Sequence, residues 1–113
     1  MTINYTLVEM DKFEKAFNKL PLDIRERFKR QFKRLKEGPY SIGKPLGYNW
    51  LRELKNEGHR VYYLIYDEEV IVLLAGVSDK KDQKEVILFI KNNIVVFRKF
   101  VKSKYYKGRE PLI

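Results

Sequence analysis

Residues 50–77, WLRELKNEGHRVYYLIYDEEVIVLLAGV, decide the fold of this chain. Three strand-like segments follow one another within them: Trp50 to Lys55, Arg60 to Tyr66 and Val70 to Val77. The turns between these segments are short, and short connections require neighbouring strands to be antiparallel. The stretch therefore predicts a three-stranded antiparallel meander. Residues 70–75 are apolar at every position, which is typical of a central strand covered on both faces.

Before the meander, the spacing of apolar residues is helical. Residues 3–9 predict one further strand at the N-terminus. Two helical stripes follow it: Phe13, Ala16, Phe17 and Leu20, then Ile24, Phe28, Phe32 and Leu35. Pro21 separates the two stripes and Gly38-Pro39 ends the second, so the pattern predicts an antiparallel helical hairpin. Residues 39–48 contain two prolines and predict an ordered loop.

Helical spacing returns after a basic turn at 78–81. The apolar positions are Val86, Phe89, Ile90, Ile94, Phe97 and Val101. They fit one long helix or two helices divided near Asn92-Asn93, and we favour a helix that continues past residue 95. The order β-α-α-β-β-β-α predicts an α+β domain: an N-terminal helical hairpin packed on an antiparallel β-sheet, with a C-terminal helix. We expect one domain over 1–113, with a core at about 3–93 and a basic extension at 94–113.

Composition limits the classes of function. The chain has 113 residues, a net charge of +9, no cysteine and one histidine. Disulfides, thiolate metal sites and histidine-rich metal clusters are therefore excluded, and we expect neither a metal nor another cofactor. The sequence shows no signal peptide and no apolar run long enough to span a bilayer, so we expect a cytoplasmic protein with no membrane partner. The positive charge favours a polyanionic partner, such as nucleic acid, an acidic protein or an anionic lipid surface.

Cations are concentrated on and just after the predicted meander. They are Arg52, Lys55, Arg60, Lys80 and Lys81. Neighbouring strands lie about 4.8 Å apart, so these side chains could hold a phosphate backbone and stabilise charge at a scissile phosphate. Cleavage through a ribose 2′-hydroxyl also needs proton transfer. The candidates for that are Glu53, Lys55, His59 and Lys81. Each of these residues also fits an ordinary solvated strand end, but Arg60 opens an apolar strand and must either pair or face a site.

Two further basic clusters lie outside the meander. The second helix carries Arg25, Arg27, Lys29, Arg30, Lys33, Arg34 and Lys36. The C-terminal region carries Arg98, Lys99, Lys102, Lys104, Lys107 and Arg109, interleaved with Phe100, Tyr105 and Tyr106. Both clusters fit a nucleic-acid contact or the solvated face of a helix equally well.

The order and spacing of these motifs resemble the RelE/ParE superfamily of type II toxin–antitoxin toxins, particularly its RelE/HigB-like branch. The resemblance runs from about Phe13 to Asn93. The matching motifs are Lys44-Pro45-Leu46, Glu53-Leu54-Lys55, Gly58-His59-Arg60-Val61-Tyr62-Tyr63, Leu73-Leu74 and Lys80-Lys81-Asp82-Gln83. The resemblance implies a RelE-like fold and a ribosome-dependent mRNA interferase, which is a metal-independent endoribonuclease that inhibits translation. It also implies three partners: a cognate antitoxin, the ribosome and mRNA.

The resemblance further implies roles for single residues. The catalytic residues it indicates are Lys55, Arg60, Lys80 and Lys81. With the basic helix added, the expected nucleic-acid-binding residues are Arg52, His59, Tyr62, Gln83, Arg30, Lys33 and Arg34. RelE proteins stack a tyrosine of their final helix on the substrate base. This chain has Ile87 in that region, so the stacking tyrosine is either missing or replaced by Tyr62 or a tyrosine of the tail. A non-catalytic binding protein of the same fold, either a ParE-like gyrase inhibitor or a decayed toxin, stays open as an alternative.

Overall fold

The protein is described here as a computed structural model covering residues 4–108, with side chains to residue 106. Its elements follow in the order β1 Thr6–Glu9, α1 Asp11–Asn18, α2 Leu22–Glu37, β2 Lys44–Tyr48, β3 Leu51–Asn56, β4 His59–Tyr66, β5 Ile71–Ser78, α3 Gln83–Asn92 and α4 Ile94–Gly108. The α+β class and the helical hairpin are as predicted. The predicted strand start at residue 3 and the tail residue Arg109 lie outside the described residues.

The five strands form one mixed sheet in the order β1-β5-β4-β3-β2. The predicted meander is confirmed, because β3, β4 and β5 pair antiparallel in sequence order. β1 returns to the far side of β5 and pairs with it in parallel, with Thr6 opposite Ile71. The region predicted as a loop at 39–48 contains a short strand, β2, which pairs with β3 at the edge of the sheet. An edge strand tolerates Pro45, since one side of its backbone needs no partner.

Helices cover both faces of the sheet and create two apolar cores. The first core lies under α1 and α2 and consists mainly of Phe13, Phe17, Phe28, Phe32, Val61, Tyr63, Val72 and Leu74. The second core lies under α3 and α4 and includes Leu51, Tyr62, Leu64, Leu73, Ile90, Phe97 and Val101. Successive residues of a strand point to opposite faces. The continuous apolar runs of β4 and β5 therefore supply both cores at once, as predicted for a strand covered on both faces.

The C-terminal helical region is divided at Asn93, so a helix continuing unbroken past residue 95 is wrong. Asn93 leaves helical geometry, with φ −118° and ψ 21°. Its side-chain Nδ2 donates to the carbonyl of Phe89 at 2.8 Å, which satisfies one of the free carbonyls at the end of α3. The bend lets Ile90 and Phe97 pack into the same core. Within residues 4–108, no helix has the length and apolar character needed to cross a membrane.

Candidate functional site

β3 and β4 place Lys55 and Arg60 side by side at one end of the sheet. The two residues are paired directly across the strands, and Arg60 is paired on its other side with Ser78 of β5. Side chains opposite each other in a ladder point to the same face, so Lys55, Arg60 and Ser78 form a row across three strands. The row lies on the face of the second core. Tyr62 and Leu64 follow Arg60 at every second position of β4, so they share its face, and both belong to that core.

Arg60 is a buried cation whose guanidinium is poorly satisfied. Its side chain is 6% exposed, and Nη1 donates to the carbonyl of Gly58 at 3.1 Å. Its Nε is buried with no hydrogen-bond partner among the described residues. The ion pair found between residues 4 and 106 joins Arg27 to Glu57, so Arg60 has no anionic partner there. A buried charge without a counter-ion is costly, and Nη2, which makes no hydrogen bond to a described residue and is not sealed from solvent, is open to an external anion.

Glu53 and Gln83 form the wall of this site next to Arg60. Glu53 lies on the same strand and face as Lys55, is 7% exposed, and accepts a hydrogen bond from Gln83 Nε2 through Oε2 at 3.2 Å. Gln83 is the first residue of α3, and Asp82 before it makes no side-chain cap. The first N–H groups of α3 are thus without a side-chain cap at the site, and a helix N-terminus attracts negative charge.

The structure contradicts a stacking role for Tyr62. The residue is fully buried, and its hydroxyl is 2.8 Å from Ser78 Oγ. Burial raises the pKa of the Tyr62 phenol, while the hydrogen bond with Ser78 and the charge of Arg60 partly oppose that rise. Tyr62 therefore forms the floor beneath the site and offers no ring face to a base. The reason is the two-sided cover of β4, which buries alternate residues on each face.

The structure also contradicts a nucleic-acid contact through Arg52. Its side chain is 6% exposed and points to the opposite face of β3 from Lys55. The guanidinium donates to the carbonyls of Tyr40, Ile42, Gly43 and Asn49 and to Asn49 Oδ1, at 2.7 to 3.3 Å. Arg52 therefore holds the segment between α2 and β3 in place, and its donors are already occupied.

Lys80 and Lys81 lie in the turn between β5 and α3, at the same end of the sheet as Arg60. Both are exposed. The turn is held by Asp79 and Asp82: Asp79 N donates to Asp82 Oδ1 at 2.8 Å, and the N–H groups of Lys81 and Asp82 donate to Asp79 Oδ1. The backbone and side-chain hydrogen bonds with Asp82 lower the pKa of the Asp79 carboxyl. The two lysines thus follow the Arg60–Ser78 pair on an ordered turn.

The remaining predicted residues lie on the other side of the sheet. His59 precedes Arg60 on β4 and so points to the face covered by α2. Arg30, Lys33 and Arg34 are exposed on the outer surface of α2, whose inner surface packs on the first core. The structure therefore brings together Lys55, Arg60 and Gln83, with Lys80 and Lys81 at the same end. It does not bring the basic helix into the same pocket.

Glu53 and Ser78 line the site but are not among the predicted site residues. Glu53 is a candidate for proton transfer from its chemistry, and its spacing of two residues from Lys55 on one strand indicates that both side chains face the same way. Ser78 ends an apolar strand, and a polar residue at that position was a usable signal. Between residues 4 and 106, no cluster of three or more histidine, aspartate or glutamate side chains is arranged to hold a metal.

No protein-family profile and no curated protein sequence matches this chain. Its structure is similar to solved RelE structures. An arginine double mutant of the Escherichia coli toxin RelE in the free state is 26% identical, covering 74% of this chain and 90% of that one, with a TM-score of 0.64. The intact E. coli RelBE toxin–antitoxin complex gives 27% identity, 66% and 95% coverage, and a TM-score of 0.60.

The similarity also extends beyond the E. coli protein. The RelBE2 toxin–antitoxin complex of Mycobacterium tuberculosis shows the same fold, with a TM-score of 0.59 over 71% of this chain and 95% of that one at 24% identity. These matches agree with the α+β fold and its five-stranded mixed sheet. This chain has the fold of RelE toxins, and the similarity supports a RelE-like toxin of a toxin–antitoxin system.

Proposed function

We propose that this protein is a ribosome-dependent mRNA interferase, a cytoplasmic endoribonuclease that inhibits translation. The observation that carries the proposal is Arg60, a buried guanidinium with no ion pair among the described residues, on the same face of the sheet as Glu53, which contacts the first residue of α3. An anion that binds this guanidinium supplies the missing counter-ion. The scissile phosphate of an RNA strand is an anion of this kind.

The arrangement suits cleavage by internal transesterification. The ribose 2′-oxygen attacks phosphorus, the bond from phosphorus to the 5′-oxygen breaks, and the products are a 2′,3′-cyclic phosphate and a 5′-hydroxyl. Arg60 stabilises the charge that develops on the phosphate oxygens, and such preorganised donors are worth most where water is excluded. Lys55, exposed beside Arg60, supplies a proton to the leaving 5′-oxygen. Lys80 and Lys81 bind the neighbouring phosphates.

The exposed cations of α2 provide a second contact surface in this proposal. Arg30, Lys33 and Arg34 lie on the far side of the sheet from the site row, where a ribosomal RNA helix can reach them. Phosphate contacts of this type position a protein without reading sequence. They therefore serve to seat the toxin on the ribosome, while Lys55 and Arg60 act on the mRNA.

A cognate antitoxin is the expected protein partner. Several of the similar solved structures are RelB–RelE complexes. With its net charge of +9, this chain favours an antitoxin segment rich in acidic residues. Such a segment neutralises the positive charge of the site when it covers the end of the sheet that carries Lys55 and Arg60.

One observation favours the alternative of a non-catalytic binding protein, such as a gyrase inhibitor or a decayed toxin. Tyr62 is buried, and Ile87 of α3 is a half-buried residue of the second core. Neither residue can therefore stack on a substrate base. Cleavage without such stacking requires that the ribosome itself orients the mRNA.

The test is induced expression followed by primer extension on ribosome-bound mRNA. The wild-type protein is expected to arrest growth and to produce cuts that depend on translation, and Arg60→Met is expected to lose both effects. Lys15→Ala, which removes an exposed cation on α1, is the control and should act like the wild type. Growth arrest with DNA damage and intact mRNA would replace the interferase proposal with the gyrase alternative.

A further inference from the structure

We propose that Glu53 is the general base of the cleavage reaction and that Gln83 positions it, an inference that rests on the proposed function. The stability of the fold does not explain why the Glu53 carboxylate is buried. Ionised side chains are rarely buried unless they are paired. Glu53 is 7% exposed, and the described part of the chain offers it no ion pair.

The two oxygens of Glu53 have different surroundings. Oε2 accepts the hydrogen bond from Gln83 Nε2. Oε1 accepts no hydrogen bond from any described residue, yet it is not among the atoms that are sealed from solvent without a partner. One oxygen is therefore fixed by the protein, and the other remains open to a ligand. A positioned acceptor with a free lone pair is what a general base requires.

The position of Glu53 relative to Arg60 fits the geometry of a nucleotide. Glu53 pairs with Tyr62 and Lys55 pairs with Arg60, so Glu53 and Arg60 are diagonal neighbours on one face. Diagonal neighbours have Cα atoms about 7–8 Å apart, within reach of long side chains. A phosphate held by Arg60 therefore places the adjoining ribose next to Glu53. Beyond the effect of burial, the charge of Glu53 raises the pKa of the Tyr62 phenol and the charge of Arg60 lowers it, so both groups lie near the Tyr62 hydroxyl.

The proton balance assigns a separate role to each residue. Glu53 Oε1 takes the proton of the 2′-hydroxyl as the 2′-oxygen bonds to phosphorus. The 5′-oxygen leaves with a proton from the Lys55 ammonium, and both side chains return to their starting states by exchange with water. An ammonium group donates hydrogen bonds and cannot accept them, which suits Lys55 to the acid role. His59 points to the other face and does not compete for the base role.

Gln83 acts through Glu53 and is a positioning residue. It begins α3, a helix anchored in the second core by Ile90, so its amide is held by a packed element. Its hydrogen bond restricts rotation of the Glu53 carboxylate. Without it, the carboxylate is free to turn toward Arg60 for part of the time, which lowers the fraction of molecules that hold both groups ready for the reaction.

The test compares single-turnover cleavage of mRNA on programmed ribosomes by the wild type, Glu53→Gln, Gln83→Ala and the control Glu26→Gln, an exposed position on α2. Glu53→Gln keeps an amide oxygen that accepts from Gln83. It should lower the cleavage rate by about 10²–10⁴-fold, as expected for loss of a general base. Ribosome affinity and melting temperature should not change. The wild-type rate should rise with pH in the acid range, and this rise should be absent in Glu53→Gln.

The outcomes separate the two proposals. If the wild type cleaves mRNA and Glu53→Gln cleaves it with the same rate and pH profile, Glu53 is not the general base. The interferase proposal then still stands. A wild-type protein that cuts no mRNA would overturn the interferase proposal itself. Gln83→Ala should slow cleavage less than Glu53→Gln and keep the acid-range rise. If Glu53→Gln does not fold, Glu53→Asp answers the same question, since it should cut slowly and retain the rise.

Discussion

Replacing Arg60 with methionine tests whether this residue serves function at the expense of stability. Methionine keeps most of the length of the arginine stem and removes the charge. The structure shows one hydrogen bond from Arg60 to the protein, to the carbonyl of Gly58, and a buried Nε with no partner among the described residues. The substitution therefore removes a single contact together with an uncompensated charge.

The two effects on stability have opposite signs. Loss of the hydrogen bond to Gly58 lowers the free energy of unfolding by about 1 kcal/mol. Removal of a buried charge in favour of an apolar group of similar size is neutral or stabilising by about 1–4 kcal/mol. We therefore expect the free energy of unfolding of Arg60→Met to lie between about 1 kcal/mol below and about 3 kcal/mol above that of the wild type. Under the proposed function, mRNA cleavage should fall by about 10²–10³-fold, the usual cost of removing one preorganised donor.

Urea unfolding followed by circular dichroism measures the free energy of unfolding, and an assay on ribosome-bound mRNA measures the cleavage rate. Arg52→Met is the matched comparison, because it has the same chemistry and the same exposed fraction of 6% in a fully hydrogen-bonded setting. A loss of about 3–5 kcal/mol in Arg60→Met, the usual cost of breaking a buried ion pair, would show that Arg60 serves the stability of the fold. That result would make Arg60 a structural partner of Glu53.

Three further predictions concern the framework around the site. Arg52→Met should lower the free energy of unfolding by about 3–5 kcal/mol in urea melts, because several carbonyls of the loop before β3 lose a charged donor at about 1–3 kcal/mol each. Gly43→Ala should cost about 1–3 kcal/mol by the same measurement, since Gly43 has φ +80°. Tyr5 and Tyr40 both donate to Asp67 at 2.7 Å. Burial, followed by that hydrogen bond, raises the pKa of Tyr5 from 10.0 to about 12 and also raises that of Tyr40. Because the folded-state values are raised, the stabilisation is complete below about pH 10 and is lost as the pH rises through about 12. Melting temperatures taken from pH 9 to 12 should fall less steeply when both tyrosines are phenylalanine.

Local patterns were enough to predict the central sheet, because its strands pair with their neighbours in sequence. Short turns after Lys55 and Tyr66 left antiparallel pairing as the available arrangement. The parallel pairing of β1 with β5 joins segments that two helices separate, and no local pattern in residues 3–9 indicates the direction of such a long-range pair. The break at Asn93 depends on a side-chain hydrogen bond and on how α4 packs, so periodicity alone left both alternatives open.

For the site, the alternation of side chains along the strands could be predicted from the sequence, whereas the burial of individual side chains could not. Period-two spacing correctly put Lys55 and Arg60 on neighbouring strands, and the register then placed them together. The prediction that Arg52 and Tyr62 bind nucleic acid is wrong because the residues that contact them come from distant parts of the chain. Arg52 is satisfied by a loop, and Tyr62 is covered by α3 and α4. A sequence shows which residues carry charge, whereas the tertiary contacts decide which charges remain available to a ligand.

The separation of the two basic surfaces bears on the kind of RNA that this protein would meet under the proposed function. Arg30, Lys33 and Arg34 face outward from α2, whereas Lys55 and Arg60 lie at the open end of the opposite face. A whole sheet lies between the two surfaces, so a single extended strand can contact one of them at a time. A ribosomal cleft has RNA on several sides and can contact both. Under the proposed function, the charge distribution therefore favours cleavage of mRNA held in a ribosome over cleavage of free RNA. It also explains why the cations need not converge on one pocket.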